Sequence, residues 1–365
     1  MTTPGPGRAR PGDAPSYAEG RPATGARERV RWAVLEDEAA LPGFQDRVTH
    51  PEFAGMEFVH VRAKSLLNHV PAAAVLPCNW TINVYRGCSH ACGFCFARPS
   101  HAWLGLDADR DFERVIVVKV NAVERLRAEL RRPSWRGEHV ALGTNTDPYQ
   151  RAEGRYRLTR GVVTTLAEAG NPFSVLTKGT LVTRDLDVLA EAAGRGVCTG
   201  VSLSIPTVDE HVWRLTESGA PHPRARLETV AALRDAGIPS GVMLAPVIPG
   251  LSDDEAQLRA AIAGALEAGA TAITPIVVHL RPGVREVFLP RLRTEHPELA
   301  DRLAATYRGA NAPADVRRRI VGMVRRIVDE LGGPRRSARH VDDGIGRPRV
   351  DPVAAAASGE QLTLL

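Results

Sequence analysis

"WTINVYRGCSHACGFCFAR", residues 80–98, joins an apolar run to a loop that carries Cys88, Cys92 and Cys95 at spacings of four and three. The run TINVYRG (81–87) has the length and β-branched content of a buried strand, so the cysteine loop reads as the connection leaving its carboxyl end. A structural zinc site takes four protein ligands, and this loop supplies three thiols. His90 or His101 could complete a zinc set, although zinc ligands usually come as two separated pairs and no second pair follows. Thiolates also hold iron–sulfur cubanes. Three of them would serve three irons and leave the fourth open to a small molecule.

Working outward, five more runs have strand character: HVALGT (139–144), FSVLTK (173–178), CTGVSLSI (198–205), SGVMLAPVI (240–248) and AITPIVV (272–278). IVVKV (116–120) is a candidate extra strand. Between the runs lie helical patterns at 121–132, 159–170, 183–196, 224–237 and 252–269, several opening on Asn, Thr or Ser and closing on Gly. Strand–helix alternation predicts parallel strands joined by right-handed crossovers. Six such units predict an α/β protein built as a partial (β/α)6 barrel. Ligands gather at the carboxyl ends of such strands. There the sequence places the cysteine loop, the turn Thr144, Asn145, Thr146 and Asp147, then Lys178, then Ser202 and Ser204, and then APVIPG (245–250). Residues 1–28 and 332–365 read as disordered tails, 29–80 as an N-terminal extension, 81–290 as the core and 291–331 as a C-terminal helical segment.

Composition narrows the class. The chain has 365 residues and a net charge of +5, with no apolar run of 18, so no transmembrane helix is expected. No apolar secretory core opens the N-terminus, and a cytoplasmic location is expected. Three of five cysteines crowd into eight residues, which favours metal over disulfides; Cys78 and Cys198 read as small buried residues. Of 47 basic residues only Lys64, Lys119 and Lys178 are lysine, so Lys178 at a strand end draws attention. Residues 281–340 hold fourteen arginines against seven acids, and VRRRIVGMVRRIVDEL (316–331) is a basic amphipathic helix. It suits either a nucleic-acid contact or a solvated face. The last five residues, Gln361 to Leu365, form an apolar cluster in a polar tail.

CxxxCxxC with Phe94 before its last cysteine, after the first strand of a β/α domain, resembles the radical SAM superfamily. GTNTDPYQRAEGRYRLTR (143–160), VLTKGTLVTRDLDVL (175–189) and the stretch 201–255 extend the resemblance to the branch related to spore photoproduct lyase, over residues from about 60 to 290. The resemblance implies that Cys88, Cys92 and Cys95 ligate a 4Fe-4S cluster, with S-adenosylmethionine (SAM) chelating the open iron. A one-electron reductant of flavodoxin or ferredoxin type is then implied, with reductive SAM cleavage yielding a 5′-deoxyadenosyl radical. It places Lys178 on the SAM carboxylate, Ser202 or Ser204 near SAM, and residues 245–250 on the adenine side. Thr144, Asn145 and Asp147 suit the methionine amino group or the substrate, against the plainer role of a turn. Glu217 and Arg226 are further polar candidates. The lyase's hydrogen-donating cysteine, near the end of its second strand, has no counterpart in ALGTNTDPYQ (141–150), and Cys198 begins the fourth strand. That argues against dimer repair by the lyase's route. The substrate stays open between a nucleic acid and a small molecule or peptide. The competing class is a zinc-stabilised nucleic-acid-binding module without catalysis. Gln361–Leu365 resembles the short motif by which bacterial repair proteins bind the sliding clamp.

Overall fold

The computed structural model of the chain describes residues 41–71 and 78–334; the proposed clamp motif lies outside them. In chain order the elements open with β1 (Phe44–Val48), β2 (Glu57–Val61), β3 (Asn68–His69), β4 (Trp80–Ile82) and β5 (Tyr85–Arg86). Then come α1 (Pro99–Ala102), α2 (Arg110–Arg114), β6 (Val115–Lys119), α3 (Ala122–Leu130), β7 (Val140–Leu142), α4 (Glu153–Tyr156) and α5 (Leu158–Glu168). β8 (Phe173–Thr177), α6 (Leu186–Gly194), β9 (Thr199–Ser204), α7 (Glu210–Glu217), α8 (Pro223–Asp235) and β10 (Ser240–Val247) follow. The chain closes with α9 (Glu255–Glu267), β11 (Ala272–Val277), α10 (Arg285–Arg293), α11 (Pro297–Thr306) and α12 (Ala314–Glu330). No helix among the described residues is long and apolar enough to cross a membrane.

The larger sheet runs β11-β10-β9-β8-β7-β4-β3. All six strands from β4 to β11 in this sheet are parallel, and only the short β3 is antiparallel. This is the expected partial (β/α)6 barrel, open between β11 and β3. Its strands bury one face against the helices: Phe173 and Val175, Val201 and Leu203, and Val242 and Leu244 share a core with Val163, Leu189, Val230 and Ile262. Alternate residues point to the other, inner face. There Leu176, Ser202, Gly241 and Ala272 fall in one register row, with Ser204, Met243 and Thr274 in the next. Apart from Ser204 these inner residues are only half-buried, so the inner face is where a ligand can lie.

Two expectations are corrected. TINVYRG is not one strand: β4 stays in the large sheet, whereas β5 pairs antiparallel with β6 in a second sheet, order β1-β2-β6-β5. The break falls where Asn83 turns its Oδ1 to accept the Asn145 and Thr146 amides at 3.0 and 3.4 Å. Cys198 is exposed rather than buried, and it precedes β9 at the end remote from the cysteine loop. The basic helix α12 forms as expected. Its apolar side, Ile320, Val324, Ile327 and Val328, joins the core against α9 and β11.

Candidate active site

The cysteine loop leaves β5 and is braced from three sides. On the α2 side, the Cys88 amide donates to Phe112 O at 2.9 Å. Arg98, fully buried, donates to Cys92 O at 3.0 Å, Ala91 O at 3.3 Å, and Ala108 O and Asp109 O at 3.0 Å each, and pairs with Glu113. From the barrel, Thr146 Oγ1 and Gln150 Nε2 donate to Gly87 O at 2.5 and 3.0 Å. From the far side, the Gly93 amide donates to Thr216 O at 3.0 Å. Gly219, between α7 and α8, comes so close that a Cβ there would lie 2.6 Å from His90 O. Only glycine permits that approach.

Cys88 and Cys92 are buried and Cys95 is half-buried. Burial pushes all three thiols up, Cys92 to about 12, so any metal held there would have to displace protons that the protein alone would keep. A single zinc ion with bonds of about 2.3 Å needs ligand atoms roughly 3.8 Å apart. His101 turns away: its Nε2 meets Val115 O at 2.9 Å and its ring lies edge-on to Phe112. His90 faces the Asp147 carboxylate at 3.3 Å. With His101 turned to Val115 O and His90 to Asp147, the loop offers three thiols and no fourth protein ligand, a donor set that suits a group with one position left open.

Lys178 leaves the end of β8 and reaches the inner face. Its ammonium donates to Ser204 Oγ at 2.8 Å, approaches Ala245 O at 3.5 Å, pairs with Glu217 at 2.7 Å, and lies 5.5 Å from the Phe94 ring centroid. Glu217 and Arg226 are fully enclosed and paired with each other. Arg226 also donates to Ser204 O at 2.6 Å and Pro221 O at 2.8 Å. Burial raises the Glu217 carboxyl, but the Arg226 and Lys178 cations outweigh it and hold the group below its ordinary value. Arg226 thus acts on Glu217 and Ser204, not on a ligand.

The turn after β7 is ordered by what it does locally. Asp147 accepts from Tyr149 N at 2.8 Å, Thr177 Oγ1 at 2.6 Å and Lys178 N at 2.6 Å, which ties β7 to β8 beneath Lys178. Thr144 and Asn145 stay half-exposed, held by Asn83. Ser202, with its row on the inner face, also stays half-exposed. The structure thus gathers Phe94, Lys178, Ser204 and Glu217 beside the cysteine loop, while Asp147 and Arg226 spend their polar atoms inside the protein. Arg98, Asn83 and Gln150 escaped the sequence reading, because nothing in spacing marks a side chain that acts by bracing a loop. A cavity of about 310 Å³ opens by His90, Tyr149, Gly179 and Gly219, but none of the SAM-side candidates lines it.

A partial barrel that sets a three-cysteine loop at the carboxyl ends of its strands defines a class of enzyme, and the comparisons name it. The radical SAM superfamily matches residues 82–261. Uncharacterized protein Rv2578c of Mycobacterium tuberculosis is 48% identical over 292 residues, 76% of this chain and 86% of that protein. Uncharacterized protein MJ0683 of Methanocaldococcus jannaschii is 26% identical over 202 residues, 55% of this chain and 71% of that protein. Among solved structures, spore photoproduct lyase complexed with dinucleoside spore photoproduct superposes with a TM-score of 0.58 at 16% identity, over 75% of this chain and 79% of that one. A mutant of the lyase with bound AdoMet and the same dinucleoside gives 0.59 at 14% identity, with the same coverage. The chain belongs to the radical SAM superfamily and has the fold of spore photoproduct lyase.

Proposed function

We propose that the protein is a radical SAM enzyme in which Cys88, Cys92 and Cys95 hold a 4Fe-4S cluster. When bound, the cluster would supply one electron from an external reductant, of flavodoxin or ferredoxin type, for cleavage of SAM to a 5′-deoxyadenosyl radical. The observation that carries this reading is a loop braced from three sides that offers three thiols, two buried and one half-buried, beside a charged group on the inner face of the barrel.

The chain's own residues divide the remaining work. The Lys178 ammonium is the cation placed to meet the SAM carboxylate, and Phe94 walls it from the loop side. Glu217, fixed by Arg226, orients that ammonium until a ligand carboxylate arrives. Ser202, Thr144 and Asn145 present polar atoms along the inner face for the amino acid and ribose portions, and the Ala245–Gly250 backbone borders the adenine. Asp147 supports the site by fastening Lys178 N rather than by touching a ligand. Residues 81–290 form the catalytic core in this reading, with 29–80 and 291–331 as flanking segments. A nucleic acid is the substrate class we favour, because α12 leaves Arg317, Arg318 and Arg325 exposed on the protein surface. The test is anaerobic incubation of the iron-loaded protein with SAM and dithionite. 5′-Deoxyadenosine should accumulate, and Cys92→Ala should abolish it. Equal product from that variant, or none from a fully loaded wild-type protein, would overturn the proposal.

A further inference from the structure

Outside the cysteine loop, one group of side chains has the composition and spacing of a metal site. His211 projects from the first turn of α7, and Glu295 and His296 occupy the corner between α10 and α11. One ligand atom from each lies within 4.8 Å of the other two. His211 Nε2 stands 3.5 Å from Glu295 Oε2, longer than a good hydrogen bond. That spacing is close to the roughly 3.3 Å between neighbouring ligand atoms around a tetrahedral ion with bonds of about 2.0–2.1 Å. The two imidazoles meet edge to face at 5.7 Å and 80°, so they are not stacked. His296 Nε2 is buried and, among the described residues, has no hydrogen-bond partner. An ion pair between His211 and Glu295 alone leaves that nitrogen unexplained. A cation held by all three, with His296 ligating through Nε2, would satisfy it.

We propose that His211, Glu295 and His296 bind a divalent transition-metal ion of the zinc type, with water in the fourth position. Two imidazoles and one carboxylate suit zinc; calcium and magnesium call for oxygen ligands. The side chains of His211 and Glu295 are 61% and 48% exposed, which leaves room for an ion to enter and for water to complete its shell. The site's place in the fold gives it a purpose. It spans α7 and the end of α10, which are in contact. α7 supplies Thr216 O to Gly93, and α10 supplies Arg291, which reaches Ala91 O at 3.4 Å and pairs with Glu113 at 2.7 Å. A bound ion would fasten together the two helices that grip the cysteine loop from outside, stabilising the fold by mass action without entering the reaction.

The experiment uses full-length, iron-loaded protein given one equivalent of Zn²⁺ and passed through gel filtration. Retained zinc is measured by elemental analysis, and its ligands by zinc-edge X-ray absorption. The expected result is one zinc per chain with only nitrogen and oxygen neighbours, and a melting temperature raised by the ion. His211→Ala, an exposed position, should lose the zinc and the rise in melting temperature while keeping its iron. Loss of a supporting outer-shell group alone costs metal sites 10- to 100-fold in affinity, so loss of a ligand should weaken binding by more than about 100-fold. Glu295→Gln should behave the same way. Absence of zinc from the wild-type protein, sulfur among its neighbours, or equal retention by both variants would overturn the proposal.

Discussion

Lys178 meets Glu217, Ser204 Oγ and Ala245 O at once, so its ammonium is fully partnered before any ligand arrives. Binding SAM through this group requires exchange of one partner for a carboxylate, an interaction worth about 1.5–3 kcal/mol. Lys178→Ala should therefore leave iron content unchanged and weaken SAM binding by roughly 10- to 150-fold, as read by equilibrium dialysis. Unchanged affinity in an iron-loaded variant would remove Lys178 from the site. His101 gives a second residue-scale expectation. Burial holds its imidazole down at about 4, against a slight upward pull from its bond to Val115 O. The unfolded chain thus binds a proton at His101 that the folded chain refuses. Stability present above the ordinary histidine value is lost as pH falls toward the folded value. Unfolding free energy should drop by about 2 kcal/mol between roughly pH 7 and pH 5 from this group, and the His101→Phe variant should lack that part of the slope in denaturant titrations.

At the scale of elements, the cysteine loop is shaped by its braces more than by its own sequence. Arg98→Ala would remove the side-chain donor from the buried Cys92 carbonyl oxygen and from the part-buried ones of Ala108 and Asp109, and would leave Ala91 O and Glu113 with Arg291 alone. The variant should assemble less cluster and release iron faster to a chelator, although all three thiols remain. The same contrast explains what the sequence made legible. The parallel strands could be read because each is a short apolar run bounded by turn residues, and the crossover helices because their apolar positions recur on one side and end on Gly. The division of TINVYRG could not, since it depends on Asn83 capping a turn 62 residues away. IVVKV was visible, but its neighbour β2 and the β1 strand beyond it are short and half polar, so the second sheet was not. α7 was hidden by its brevity, and α10 by Pro290 inside it. In the site, the thiols and Lys178 stood out by residue type and strand position. The internal roles of Asp147 and Arg226 emerged only with their partners in place.

Over the whole molecule, the inner face carries the site and the outer face carries α12. Part of that helix's charge is structural: Arg326 pairs with Glu255 at 2.8 Å, Arg319 pairs with Asp253, and Arg259 of α9 pairs with Glu330. Arg317, Arg318 and Arg325 stay exposed. If the substrate is a nucleic acid, replacing these three with serine should weaken binding evenly across sequences and reduce the salt slope by up to about 2–3, since each phosphate contact adds about 0.7–0.9. An unchanged slope would assign α12 to packing alone. The central claim is that three cysteines leave one iron for SAM. Its most direct test is electron–nuclear double resonance on the reduced, iron-loaded protein with SAM labelled with ¹⁷O in its carboxylate. The account predicts a resolved coupling between the cluster and the labelled oxygen, present in wild type and absent without SAM. A reduced cluster whose spectrum shows no ¹⁷O coupling at saturating SAM would contradict it.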